Sequence, residues 1–118
     1  MKQKFVLFDD DPLYCSLLKK TAQKMEIDLD CFLSLEDMAS IGQLSKYGAI
    51  VSDYDLGHFN GLEIAEYLSA LFYRKPLLLI SNEYRCDTEN WPDSVQGFYH
   101  KNIGAEYILN ALINVHRH

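Results

Sequence analysis

Five short apolar runs, rich in branched and aromatic residues, recur along the chain at 4–8, 29–33, 49–52, 77–80 and 97–99. Each has the length of a strand. Between them apolar residues follow the three-and-four spacing of one helix face: Tyr14, Leu18, Ala22 and Met25, then Ile64, Ala65, Leu68, Leu71 and Phe72, and lastly Ala105, Ile108, Leu109, Leu112 and Val115. This alternation confines the fold, because parallel strands need a crossover and crossover helices cover both faces of the sheet they join. The expected class is α/β, a doubly wound five-stranded parallel sheet. The second run alternates Leu29, Cys31 and Leu33 with Asp28, Asp30 and Phe32, as a half-exposed edge strand should.

Start signals agree with these windows. Pro12 suits a first helical position, Ser34 and Asn60 suit caps, and Asn60 has Glu63 three residues on, a capping-box pair. Between Ser81 and Gly97 the polar sequence carries Pro92 and only Trp91 and Val95 as strong apolar anchors, so a short or irregular fourth helix is expected there.

At 118 residues and 48% apolar, the chain suits one core, and a single domain over 1–118 is expected. Lys plus Arg number 11 against 17 Asp plus Glu, a net charge of −6, which disfavours direct nucleic-acid binding. Apolar runs of four residues do not span a bilayer, and the apolar start ends at Asp9, too short for a signal peptide. Cys15, Cys31 and Cys86 have no metal spacing and suit a cytoplasmic, reducing location as small buried side chains.

The chemistry gathers where strands end. The first run ends in Asp9, Asp10 and Asp11, the third in Asp53, the fourth in Ser81, and the fifth leads to Lys101. In an open parallel sheet all those ends lie on one edge, where ligands bind. Two carboxylates about 5 Å apart repel by about 3 kcal/mol at an effective dielectric of 20, so such a cluster takes up a cation or a proton. An oxygen-only donor set without His or Cys favours Mg²⁺. Carboxylate, Mg²⁺, hydroxyl and ammonium are together the parts that move a phosphoryl group onto an aspartate. Asp53, standing alone at the end of a central strand, is the expected acceptor, and Asp9 and Asp10 the metal ligands.

On these residues the chain resembles the response-regulator receiver domains of two-component signalling, over essentially its whole length. Asp9 and Asp10 match the acidic pair, Asp53 the phosphoacceptor, Ser81 the Ser/Thr switch and Lys101 the lysine, at intervals of 43, 28 and 20 residues counted from Asp10. The resemblance implies the flavodoxin-like strand order 2-1-3-4-5. It also implies that the backbone carbonyl of Asp55 joins Asp9, Asp10 and Asp53 around Mg²⁺, and that Ser81 and Phe98 switch together. A histidine kinase or histidine phosphotransfer protein would donate the phosphoryl group; the output partner is unknown, and a homodimer is compatible with this reading. It describes a signalling module, not a turnover enzyme.

Several positions depart from the family pattern. Asn102 stands where proline usually follows the lysine, and a cis bond there would cost roughly 2.5 to 4 kcal/mol, so a trans bond or visible strain is expected. Asn82 replaces a small residue, Gly57 a common proline and Asn60 a common aspartate. Phe98 offers no hydroxyl and reads equally as a core filler. Asp55 and Glu83 occupy positions that in the family tune dephosphorylation. Trp91, Tyr84 and Tyr99 are expected to form an exposed aromatic patch for output contacts, and His116 and His118 a frayed tail. Two other readings stay open: a phosphate-independent interaction domain, and a haloacid-dehalogenase-type phosphatase suggested by Asp53-Tyr54-Asp55.

Overall fold

The computed structural model describes residues 4–37, 45–72, 75–83 and 91–117. Its strands are β1 (Lys4–Phe8), β2 (Asp28–Phe32), β3 (Ala49–Asp53), β4 (Leu77–Ser81) and β5 (Val95–His100), and its helices α1 (Pro12–Lys24), α2 (Gly61–Leu71) and α3 (Ala105–Arg117). All neighbouring strands are parallel, in the order β2-β1-β3-β4-β5. The expected α/β class and order therefore hold. The expected fourth helix falls mainly on 84–90, outside the described residues, as does most of the segment after Ser34, of which 35–37 form a single 3₁₀ turn.

Period-two alternation explains why the central strands read as unbroken apolar runs. On one face Phe5, Leu7, Val51, Leu78 and Ile80 pack beneath α1 and α3, through Cys15, Leu18, Ile108 and Leu112. On the other, Val6, Phe8, Ile50, Leu77 and Leu79 meet Ile64, Leu68 and Phe72 at α2. Both faces of β1, β3 and β4 are thus buried, whereas β2 is an edge strand with mostly half-buried residues.

The starts of α1 and α2 are those the sequence signals. Asp11 caps α1, its carboxylate accepting from Leu13 N–H at 3.0 Å, with Pro12 following. Asn60 and Glu63 form a complete capping box, with bonds of 3.0 and 3.1 Å. Before it, Leu56 and Phe59 exchange two backbone hydrogen bonds across a tight turn in which Gly57 has φ +61°. Proline, locked near −65°, cannot take that conformation, which explains glycine at this position.

Two aromatic expectations change. Trp91 stacks on Phe98 with centroids 5.5 Å apart, while Tyr99, the next residue of β5, points through the other face and meets Tyr107 at 5.8 Å. Trp91 and Tyr99 therefore belong to opposite faces and form no common patch; Tyr84 lies outside the described residues. His116 is not frayed: its ring sits edge-on to Phe5 at 5.5 Å and covers Gly48.

Among the described glycines the tightest surroundings are at Gly61, the first residue of α2. A Cβ there would lie 2.0 Å from Cε2 of Tyr54, whose ring is buried. Gly61→Ala is expected to cost about 1–3 kcal/mol, the usual range for overpacking a dense site, measured by urea unfolding.

Candidate functional site

The four ends of β1, β3, β4 and β5 meet at one edge. Asp9 follows β1 and is fully buried. Its backbone N–H donates to Phe32 O at 3.1 Å, its Oδ1 accepts from Asp11 N–H at 2.9 Å, and the Cys15 thiol donates to its carbonyl at 3.3 Å. That triple anchorage aims Asp9 Oδ2 at Lys101 Nζ, 2.7 Å away. Asp53, the last residue of β3, places Oδ2 3.5 Å from the same ammonium. Asp10 is exposed beside them, and carboxylate oxygens of Asp9, Asp10 and Asp53 all lie within 4.8 Å of one another.

Burial sets the electrostatics. The Asp53 carboxyl is pushed up to about 6, first by desolvation and then by the negative charge of Asp9. Lys101 and a hydrogen bond from the Asp55 backbone N–H oppose that rise. Lys101, only 7% exposed at its side chain, is held above the ordinary lysine range by Asp9 and Asp53 against its own desolvation. One ammonium thus faces two inward carboxylates, with the third carboxylate, Asp10, at the open side.

Those donors suit a divalent cation. They are all oxygens, and buried Asp9 Oδ2 has the ammonium as an ion-pair partner but no aligned hydrogen bond. Asp55 follows Asp53 by two residues and is exposed, with its amide already turned toward the Asp53 carboxylate.

Ser81 ends β4 one residue beyond Ile80, the register partner of Asp53. It is buried, and its hydroxyl accepts from Glu83 N–H at 3.0 Å. Phe98 lies half-buried between Tyr54, edge-on at 5.3 Å, and Trp91. The Lys101–Asn102 bond is trans, since no peptide among the described residues is cis. Lys101 nevertheless reaches both carboxylates, from a 3₁₀ turn over Lys101–Ile103.

One neighbour of the lysine was not legible as such. Tyr14, read from its spacing as part of a helix face, places its ring 4.5 Å beneath Lys101 Nζ in a cation–π contact. Its hydroxyl is buried with no hydrogen-bond partner among the described residues, and burial, then the Asp9 and Asp53 charges, hold the phenol above its ordinary range. The only sequence signal was an aromatic four residues after Asp10, in the first turn of the helix that begins at the site.

This architecture is shared by many solved receiver domains of response regulators, over nearly the whole chain. The chemotaxis response regulator CheY4 of Vibrio cholerae superposes with a TM-score of 0.77 at 18% identity, over 98% of this chain and 99% of that one. The BeF3-activated DrrB receiver domain gives 0.80 at 17%, with all of both chains covered. A Burkholderia pseudomallei response regulator, solved with a phosphorylated aspartic acid, calcium ion and citrate, gives 0.75 at 18%, over 94% of this chain and 66% of that one. No protein-family model matches the sequence, and no curated protein is detectably similar to it. The fold is that of a response-regulator receiver domain. No described helix is long and apolar enough to cross a membrane.

Proposed function

We propose that the chain is a receiver domain of the response-regulator family, spanning 1–118, which accepts a phosphoryl group on Asp53 from a histidine kinase or histidine phosphotransfer protein in the cytoplasm. The observation that carries this reading is the convergence of Asp9, Asp10, Asp53 and Lys101 at one strand-end edge. The Asp53 carboxylate attacks phosphorus in line; the new P–O bond forms as the P–N bond of the donor's phosphohistidine breaks, and its electron pair returns to the imidazole. Lys101 neutralises charge on the equatorial oxygens, and Ser81 supplies a hydroxyl to one of them once the acyl phosphate has formed. Asp9, Asp10 and Asp53, with the Asp55 carbonyl, would hold Mg²⁺, which supplies charge neutralisation at those oxygens.

The acyl phosphate then biases an existing equilibrium in which Ser81 and Phe98 shift, altering a protein-binding surface rather than turning over a substrate. Trp91, stacked on Phe98, is a built-in reporter of that shift.

Incubation with Mg²⁺ and acetyl phosphate should add about 80 Da, the mass of one phosphoryl group, and quench or enhance Trp91 fluorescence. Asp53→Ala and metal chelation should each abolish the adduct. A native protein that gains no mass would overturn the reading. If Asp53→Ala also kept full binding to an output partner, the phosphate-independent interaction domain, motivated by Asn82 beside Ser81, would replace it.

A further inference from the structure

The lysine loop is held by a side chain with no assigned role. His100, the last residue of β5, pairs in register with Ser81 at the end of β4. Its Nδ1 accepts from the backbone N–H of Asn102 at 3.0 Å, capping the turn that carries Lys101. Its Nε2 lies 2.7 Å from the carbonyl oxygen of Asn82, the residue after Ser81. An Nδ1 that accepts carries no proton, so the ring is the neutral Nε2–H tautomer and Nε2 donates to Asn82 O. One imidazole therefore ties the loop presenting the hydroxyl to the turn presenting the ammonium, and uses both ring nitrogens to do so.

We infer that His100 is a positioning residue: its ring clamps the Ser81 and Lys101 loops together and so aims Lys101 at Asp9 and Asp53. The backbone donor at 102 is essential to that clamp. Proline has no N–H, so Asn102, whose exposed side chain is not needed, makes possible a device that a proline would remove. The clamp's consequence for phosphoryl transfer rests on the function proposed above; its consequence for the lysine does not.

Two kinds of measurement separate these. In the native protein, imidazole ¹⁵N spectra should show the Nε2–H tautomer, with a coupling across the hydrogen bond from Asn102 N–H to His100 Nδ1. The opposite tautomer, or a missing coupling, overturns the clamp without any variant having to fold. In His100→Ala the ¹⁵Nζ signal of Lys101 should move toward that of a solvated ammonium, while Asn102→Ala leaves it in place. His100→Asn, which keeps an acceptor near Nδ1, should recover the native signal more fully than His100→Gln, which keeps a donor near Nε2. A native Lys101 signal in His100→Ala overturns the positioning role.

If the native protein forms the acyl phosphate, His100→Ala should slow its formation from acetyl phosphate roughly 10- to 100-fold, the usual consequence of a misplaced catalytic group, with His100→Asn partly restoring it. An unchanged rate beside a shifted Lys101 signal would confine the clamp to a structural part. A native protein that takes up no phosphate but shows the predicted spectra would instead overturn the proposed function and leave the clamp standing.

Discussion

Asp53→Asn is expected to stabilise the protein at pH 7.5 in Mg²⁺-free buffer, by about 2 kcal/mol or roughly 8 °C in Tm. The folded carboxyl is pushed up to about 6, well above its ordinary value near 4, because burial and Asp9 penalise its ionised form. Below pH 4 both folded and unfolded states hold the proton and the penalty is absent. Between about 4 and 6 only the folded state holds it, so this group's contribution to stability falls as pH rises, and above 6 the penalty is complete. The difference in unfolding free energy between Asp53→Asn and the native protein should therefore grow from pH 4 to 6 and then level off. Added Mg²⁺ should shrink it, by compensating the charge of the native aspartate alone. A destabilised Asp53→Asn protein at pH 7.5, or a difference independent of pH, would contradict the electrostatic account of the site.

Lys101→Met has the larger effect, in the opposite direction. The ammonium lies 2.7 Å from a fully buried carboxylate, and removing one member of a buried pair leaves an uncompensated charge, costing about 3–5 kcal/mol. Asp9→Asn combined with Lys101→Met removes both charges from that pair and should recover much of the loss, giving a coupling energy of at least about 1–2 kcal/mol in a double-mutant cycle. Urea unfolding at neutral pH without divalent cations measures it. Additive losses would show that Lys101 serves Asp53 alone and that the Asp9 contact is incidental.

The strand-end carboxylates were legible because period and position suffice to find them. An apolar run closed by Asp places a carboxylate on the sheet's carboxyl edge whatever the packing, and Asn60 with Glu63 announced the start of α2 just as directly. The lysine's surroundings needed geometry. Tyr14 reads as one more apolar step of α1 until the helix is docked and its ring lies under Nζ. His100 becomes meaningful only when the β4–β5 register sets it beside Ser81. The split of Trp91 and Tyr99 was available in principle, since Phe98 and Tyr99 are adjacent in a strand and must face opposite ways. His116 escaped because nothing in the sequence says that Gly48 leaves room for a ring.

Tyr54 has a consequence for how a chemical event at Asp53 would travel. It is the residue after Asp53 in the chain, and its ring lies between the backbone of Gly61 and the ring of Phe98, which in turn stacks on Trp91. A dense interior passes displacement on instead of absorbing it. From the Asp53 carboxylate to the aromatic contacts of β5 the covalent path is therefore a single peptide unit long, and the same ring also bears on the first turn of α2.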